Sequence, residues 1–251
     1  MKNRYRNEIQ ILNYVTTTEK YKGIFFASFI LSLYGGFVLG GSVDNFFNSI
    51  LVPFQFSVFN IFLFSLVLLN NINVCSIFKN DFSFYIIRVK NKKEYIQAII
   101  RMTVLMYFFH IFIMLLSIFA CLLLTTFKDL SISFYQNYTI NNFIYSCFYL
   151  MRYIVFGLLL TIIFSLIYVN TNDKFVLILQ SFFLLLFLYF DNFQLEARTA
   201  FSLSIWSYFR NVIYESFSLE VLSSIFMMII LEVIIMFLYK LSLKNQKVMI
   251  T

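Results

Sequence analysis

Long apolar runs separated by short polar breaks dominate the chain, and the spacing of the breaks sets the expected architecture. A helix needs about twenty apolar residues to cross the roughly 30 Å hydrocarbon core of a bilayer. Six stretches meet or approach that length: 23–41, 52–72, 102–127, 143–169, 175–190 and 221–239. The pattern predicts an all-α membrane protein with six transmembrane helices, forming a single domain over residues 1–251. No internal repeat or low-complexity linker divides it. The start of the chain is polar and no small-residue cleavage site follows the first apolar run. That run is therefore expected to remain as a transmembrane helix rather than act as a signal peptide.

Three of the polar breaks carry structure of their own. In residues 4–20, Ile9, Leu12 and Val15, with Tyr5 and Ile11 nearby, form an apolar stripe at helical spacing. A helix of this kind lies in the membrane interface with its basic residues toward the head groups. Residues 79–101 form the one long, charge-rich break, with Lys79, Arg88, Lys90, Lys92, Lys93 and Arg101. Residues 191–220 hold Asp191, Glu196, Glu215 and Glu220 around a centre too apolar for a solvated loop and too short to span. A re-entrant helical pair fits there, with Trp206 and Tyr208 as head-group anchors.

Composition and charge sharpen the picture. The chain is 61% hydrophobic and 12% charged, where a soluble domain is about a quarter charged. The net charge of +7 does not imply a nucleic-acid partner, because the basic residues flank the apolar spans instead of forming a tract. With the N-terminus inside, fifteen basic residues fall on the cytoplasmic side and only Lys128, Arg198 and Arg210 outside, with Arg152 inside a span. That asymmetry predicts a multi-pass membrane protein with both termini cytoplasmic.

Catalytic chemistry is not expected. None of the six glycines belongs to a phosphate-cradling GxxxxGK[ST] loop. The one histidine, His110, lies in the third span without a second ligand, and is read as a satisfied or lumen-facing side chain. Cys75, Cys121 and Cys147 have no metal or disulfide spacing. No cofactor or metal is implied. Arg152 in the fourth span and Glu232 in the sixth are intramembrane charges, which are costly and must pair or face a polar cavity. Counted along their helices, the two lie at similar depth, so a salt bridge between these spans is one reading. The other has Arg152 snorkelling to water and Glu232 protonated. Gly35-Gly36 and Gly40-Gly41 either allow close helix contact or loosen the end of the first span.

This layout resembles the permease subunit of ABC-2-type ABC transporters. Members have an N-terminal interfacial helix, six spans with cytoplasmic ends, a coupling helix between spans two and three, and re-entrant helices before span six. The corresponding segments here are 4–20, 79–101 and 191–220. In the loop, Tyr85-Ile-Ile-Arg-Val-Lys-Asn-Lys-Lys-Glu-Tyr-Ile precedes Arg101 at the entry to the third span, and Asn91-Lys-Lys-Glu94 takes the place of the family's Ser-Arg turn.

The resemblance implies a non-enzymatic subunit forming half of an export pathway for an amphipathic cargo such as a peptide, lipid or antibiotic. Its partners would be cytoplasmic ABC ATPase subunits, a second copy or related permease, and membrane lipid. The physics of the loop is compatible. Asp81 can cap a short helix that places Phe82, Tyr85 and Ile86 on one face, with Arg88 and Lys90 on the rim. The same face suits an ATPase groove or an anionic lipid surface. An ATP-independent six-span carrier or scaffold centred on Arg152 and Glu232 is the alternative function.

Overall fold

The computed structural model describes residues 13–14, 16–40, 45–55, 57–80, 92–125, 140–171, 175–180, 182 and 216–245. Among these are six long helices and no strand. Helix α1 is Glu19–Tyr34 and runs on through a π-helical turn, Gly35–Leu39. Helices α2 (Phe46–Gln55), α3 (Ser57–Asn80), α4 (Lys92–Thr125), α5 (Asn142–Asn170) and α6 (Phe217–Asn245) follow. Four helical stretches, Glu19–Leu39, Lys93–Leu124, Asn142–Asn170 and Phe217–Lys244, are long and apolar enough to cross a membrane, and α3 contributes the shorter apolar stretch Phe62–Ile77. The chain is thus an all-helical protein with the character of a multi-pass membrane protein. Most of the fifth expected span lies outside the described residues, although 175–180 are helical.

The helices run up and down. One buried cluster gathers Tyr21 of α1, Val74 and Ile77 of α3, Tyr95 and Ile99 of α4, and Leu166 and Tyr168 of α5, with Leu243 of α6 against it. This is the basic end of the bundle, where α1 and α4 begin and α3, α5 and α6 finish. At the opposite end, Phe46 meets Phe119 and Tyr145 meets Phe217.

The helix starts follow local chemistry. The Thr18 hydroxyl accepts from the Tyr21 amide to cap α1, and Asn45 Oδ1 accepts from the Phe47 and Asn48 amides to cap α2. Two sequence boundaries move. Residues 92–101, expected within a cytoplasmic loop, are the first turns of α4, because Tyr95, Ile96, Ile99 and Met102 recur at helical spacing and are buried. Glu220, expected in a re-entrant segment, belongs to the first turn of α6.

Glycine decides how closely α1 approaches its neighbours. A Cβ on Gly36 would sit 2.6 Å from Cys121 Cβ and 3.1 Å from the Ile118 carbonyl of α4. One on Gly40 would meet Leu122 at 2.6 Å. Of the two readings of this glycine pair, close contact is the one observed. Gly23, by contrast, has nothing within 4 Å of its Cβ position. Gly36→Ala is therefore expected to destabilise the protein by about 1–3 kcal/mol through overpacking. Gly23→Ala should leave it unchanged or slightly more stable. Thermal unfolding of the two variants in detergent checks the contrast.

Candidate functional site

Fifteen of the 29 residues of α5 are buried, and their polar members organise the bundle. Arg152 is the largest. A guanidinium surrounded by apolar groups needs a carboxylate, and the alternative of leaving it unpaired is far costlier than the pair itself. Its Nη1 donates to Glu220 Oε1 at 2.5 Å, with both side chains fully buried. Tyr145, also on α5, donates its hydroxyl to the same oxygen at 3.4 Å. The guanidinium carbon lies 4.9 Å from the ring centre of Tyr149 and 5.6 Å from that of Phe148, so aromatic faces replace much of the water it has lost. Glu220 stands in the first turn of α6, where the helix dipole favours a carboxylate.

Of the two readings of Arg152, pairing across α5 and α6 is the one observed, but its acidic partner is Glu220 and not Glu232. Residues twelve apart on a helix are separated by about 120° around the axis. Glu220 and Glu232 consequently cannot both face α5. Glu232 is exposed and makes no ion pair among the described residues. The Arg152 side chain also leans toward the N-terminal end of its own helix, which brings it level with the first turn of α6.

A second polar centre lies toward the basic end. Asn71 of α3 donates through Nδ2 to the Thr161 carbonyl of α5 at 3.0 Å. Its Oδ1 accepts from Thr103 of α4 at 3.3 Å and from Ser165 of α5 at 2.9 Å, and the Cys75 thiol lies 3.7 Å away. Three helices are thus joined through one amide. Sequence reasoning missed this clamp, because Asn71 reads as the polar fringe of the second span. Its one sequence signal is the grouping of Asn70, Asn71 and Asn73 inside an apolar run. A third set ties α2 to α5: Asn142 donates to Asn45 Oδ1 at 3.0 Å, Ser146 to the Phe47 carbonyl at 2.9 Å and Tyr149 to the Phe54 carbonyl at 3.3 Å.

The loop residues expected to engage an ATPase, Asp81, Phe82, Tyr85, Ile86, Arg88 and Lys90, lie outside the described residues, as do 4–12 and 191–215. His110 is buried and neither ring nitrogen has a hydrogen-bond partner among the described residues. Cys75 and Cys121 are buried and Cys147 is exposed, all three as free thiols. No group of three or more His, Cys, Asp or Glu side chains able to hold a metal occurs among the described residues.

The arrangement supplies fixed charge and interhelical hydrogen bonds that set how α3, α4, α5 and α6 pack against one another. Glu220→Gln is expected to cost about 3 kcal/mol or more, because it strands the buried cation. The double change Arg152→Leu with Glu220→Leu should recover most of that loss, and a thermal double-mutant cycle in detergent reads the difference. Asn71→Leu should cost about 1–2 kcal/mol, the scale of interhelical hydrogen bonds in membranes, measured by the same unfolding assay. No protein family, no curated protein and no solved structure matches the chain.

Proposed function

We propose that the chain is the transmembrane subunit of an ATP-driven ABC exporter of the ABC-2 type, with both termini cytoplasmic in a bacterial plasma membrane. It forms half of a translocation pathway for an amphipathic cargo, completed by a second copy or a related permease. ATP is hydrolysed by separate cytoplasmic subunits that engage the segment carrying Phe82, Tyr85, Ile86, Arg88 and Lys90.

The observation that carries this reading is how the helices on either side of that segment are held. Helix α3 ends at Asn80 and α4 begins at Lys92. Just beyond, Val74, Cys75 and Ile77 share one buried cluster with Tyr95, Ile96 and Ile99, and the Asn71 amide bonds Thr103 and Ser165. A force applied to the connecting segment would move α3 and α4 as one body and pull on α5 through the same amide. Helix α4 also starts about 15 Å ahead of the apolar run read from the sequence, a stiff extension suited to receiving a push. The apolar, multi-helical body and the basic residues at the receiving end fit the same assignment.

Affinity purification of the tagged chain from its own host, followed by mass spectrometry, tests the proposal. Recovery of a protein with a GxxxxGK[ST] loop is expected, and the double change Phe82→Ala with Tyr85→Ala should reduce its yield several-fold while the thermal unfolding of the membrane subunit stays unchanged. A wild-type chain that purifies without any nucleotide-binding protein would remove the basis for the assignment.

A further inference from the structure

Helix α6 packs mainly against α5, and none of the described elements covers its outer face. On that face Leu222, Ile225, Ile229, Glu232 and Met236 recur at alternating spacings of three and four residues. The four apolar members are each at least half exposed, from Ile225 at 50% to Met236 at 56%, and Glu232 is exposed among them. Spacing of three and four residues is the seam along which one helix accepts another, and a single polar residue in such a seam sets partner and register.

The depth of the carboxylate makes the seam more than a lipid-facing surface. In the membrane-spanning stretch Phe217–Lys244, Glu232 lies about 22 Å from one end and about 18 Å from the other. It therefore sits close to the middle of the hydrocarbon core, where an ionisable side chain facing lipid is strongly disfavoured. No basic side chain of this chain's described residues is free to answer it. Arg152 is committed to Glu220. Arg101 lies nine residues into α4, toward the basic end, and Lys240 and Lys244 sit at the same end of α6. Two copies related by a twofold axis through this face would bring two carboxylates together, which like charge opposes.

We propose that the α6 seam is the docking site for a transmembrane helix of a different membrane protein, one carrying a lysine or arginine at mid-membrane depth that pairs with Glu232. The apolar seam supplies the packing and the carboxylate selects the partner. This inference requires only that α6 crosses the membrane and stands or falls independently of the exporter assignment.

The full chain, fluorescently labelled and reconstituted in phosphatidylcholine vesicles, is titrated with a labelled leucine–alanine helix of about twenty residues bearing one lysine at its midpoint. Energy transfer reports association. The lysine peptide is expected to bind about tenfold more tightly than its all-apolar counterpart, the ratio a polar interhelical contact in a membrane supports. Glu232→Gln should abolish that preference without changing weak binding of the apolar peptide. Glu232→Lys should transfer the preference to a peptide with a central glutamate. Equal binding of lysine and apolar peptides to the wild-type chain overturns the proposal, and this comparison needs no variant to fold. A lysine preference that survives in Glu232→Gln overturns it as well. So does disulfide cross-linking of Ile229→Cys chains to each other at high yield, which would assign the face to a second copy.

Discussion

An apolar surround cannot solvate polar groups, so each one within this bundle must find its partner inside the fold. Helix α5 supplies most of the interhelical bonds that answer this constraint, although the ring nitrogens of His110 remain without a hydrogen-bond partner among the described residues. Asn142, Ser146 and Tyr149 bond α2, Arg152 and Tyr145 bond α6, and the Ile154 carbonyl accepts from Tyr107 of α4 at 2.8 Å. Thr161 and Ser165 complete the clamp to α3 and α4. Lipid tails are as apolar as leucine, so burial of side chains alone does little to choose one helix neighbour over another. These directional contacts make that choice, with α5 as the axle on which the other helices are mounted.

Small residues let the directional contacts form. A Cβ at Gly157 would fall on the Tyr107 hydroxyl, which is the group that reaches the Ile154 carbonyl. The glycines near the end of α1 allow a similarly close approach to α4, with Gly36 beside Cys121 and Ile118. At Gly157 close approach and hydrogen bonding are one device: the missing side chain leaves room for the Tyr107 hydroxyl to reach the Ile154 carbonyl. Where bulk is retained, aromatic pairs fill the space, as in the contact of Phe54 with Tyr153 at 4.8 Å between ring centres.

Much of the fold could be read from the chain because run length is a strong signal in membrane proteins. The stretches 143–169 and 221–239 fall within observed helices, 23–41 and 102–127 match helices described as far as Leu39 and Thr125, and the 52–72 run falls in α2 and α3. Helix ends were less legible. Amphipathic turns such as 92–101 look like loop when judged by charge, yet Tyr95, Ile96 and Ile99 are buried. That Arg152 must either pair or reach a polar opening was legible from its position in an apolar run. The identity of its partner was not, since it depends on which face of α6 turns toward α5, a tertiary property that puts Glu220 inside and Glu232 outside. The Asn71 clamp was hidden for a related reason: its partners Thr103 and Ser165 are unremarkable singly and become a site only when three helices converge. The loop residues Asp81 to Lys90 were legible as a charged, aromatic segment and belong to the part of the chain that the structure does not describe.

The two polar fastenings of α6 have a consequence for the surrounding lipid. At one end Glu220 is held by Arg152, and at the other Ser242 accepts from Asn170 at 2.6 Å. Twenty-two residues of helix separate Glu220 from Ser242, a span of about 33 Å. That length is close to the thickness of an ordinary hydrocarbon slab, which would bring the two rivets near its two edges. In a markedly thinner membrane the helix pair cannot shorten by sliding without breaking one rivet, and the mismatch must be absorbed by tilt of the pair or by deformation of the lipid.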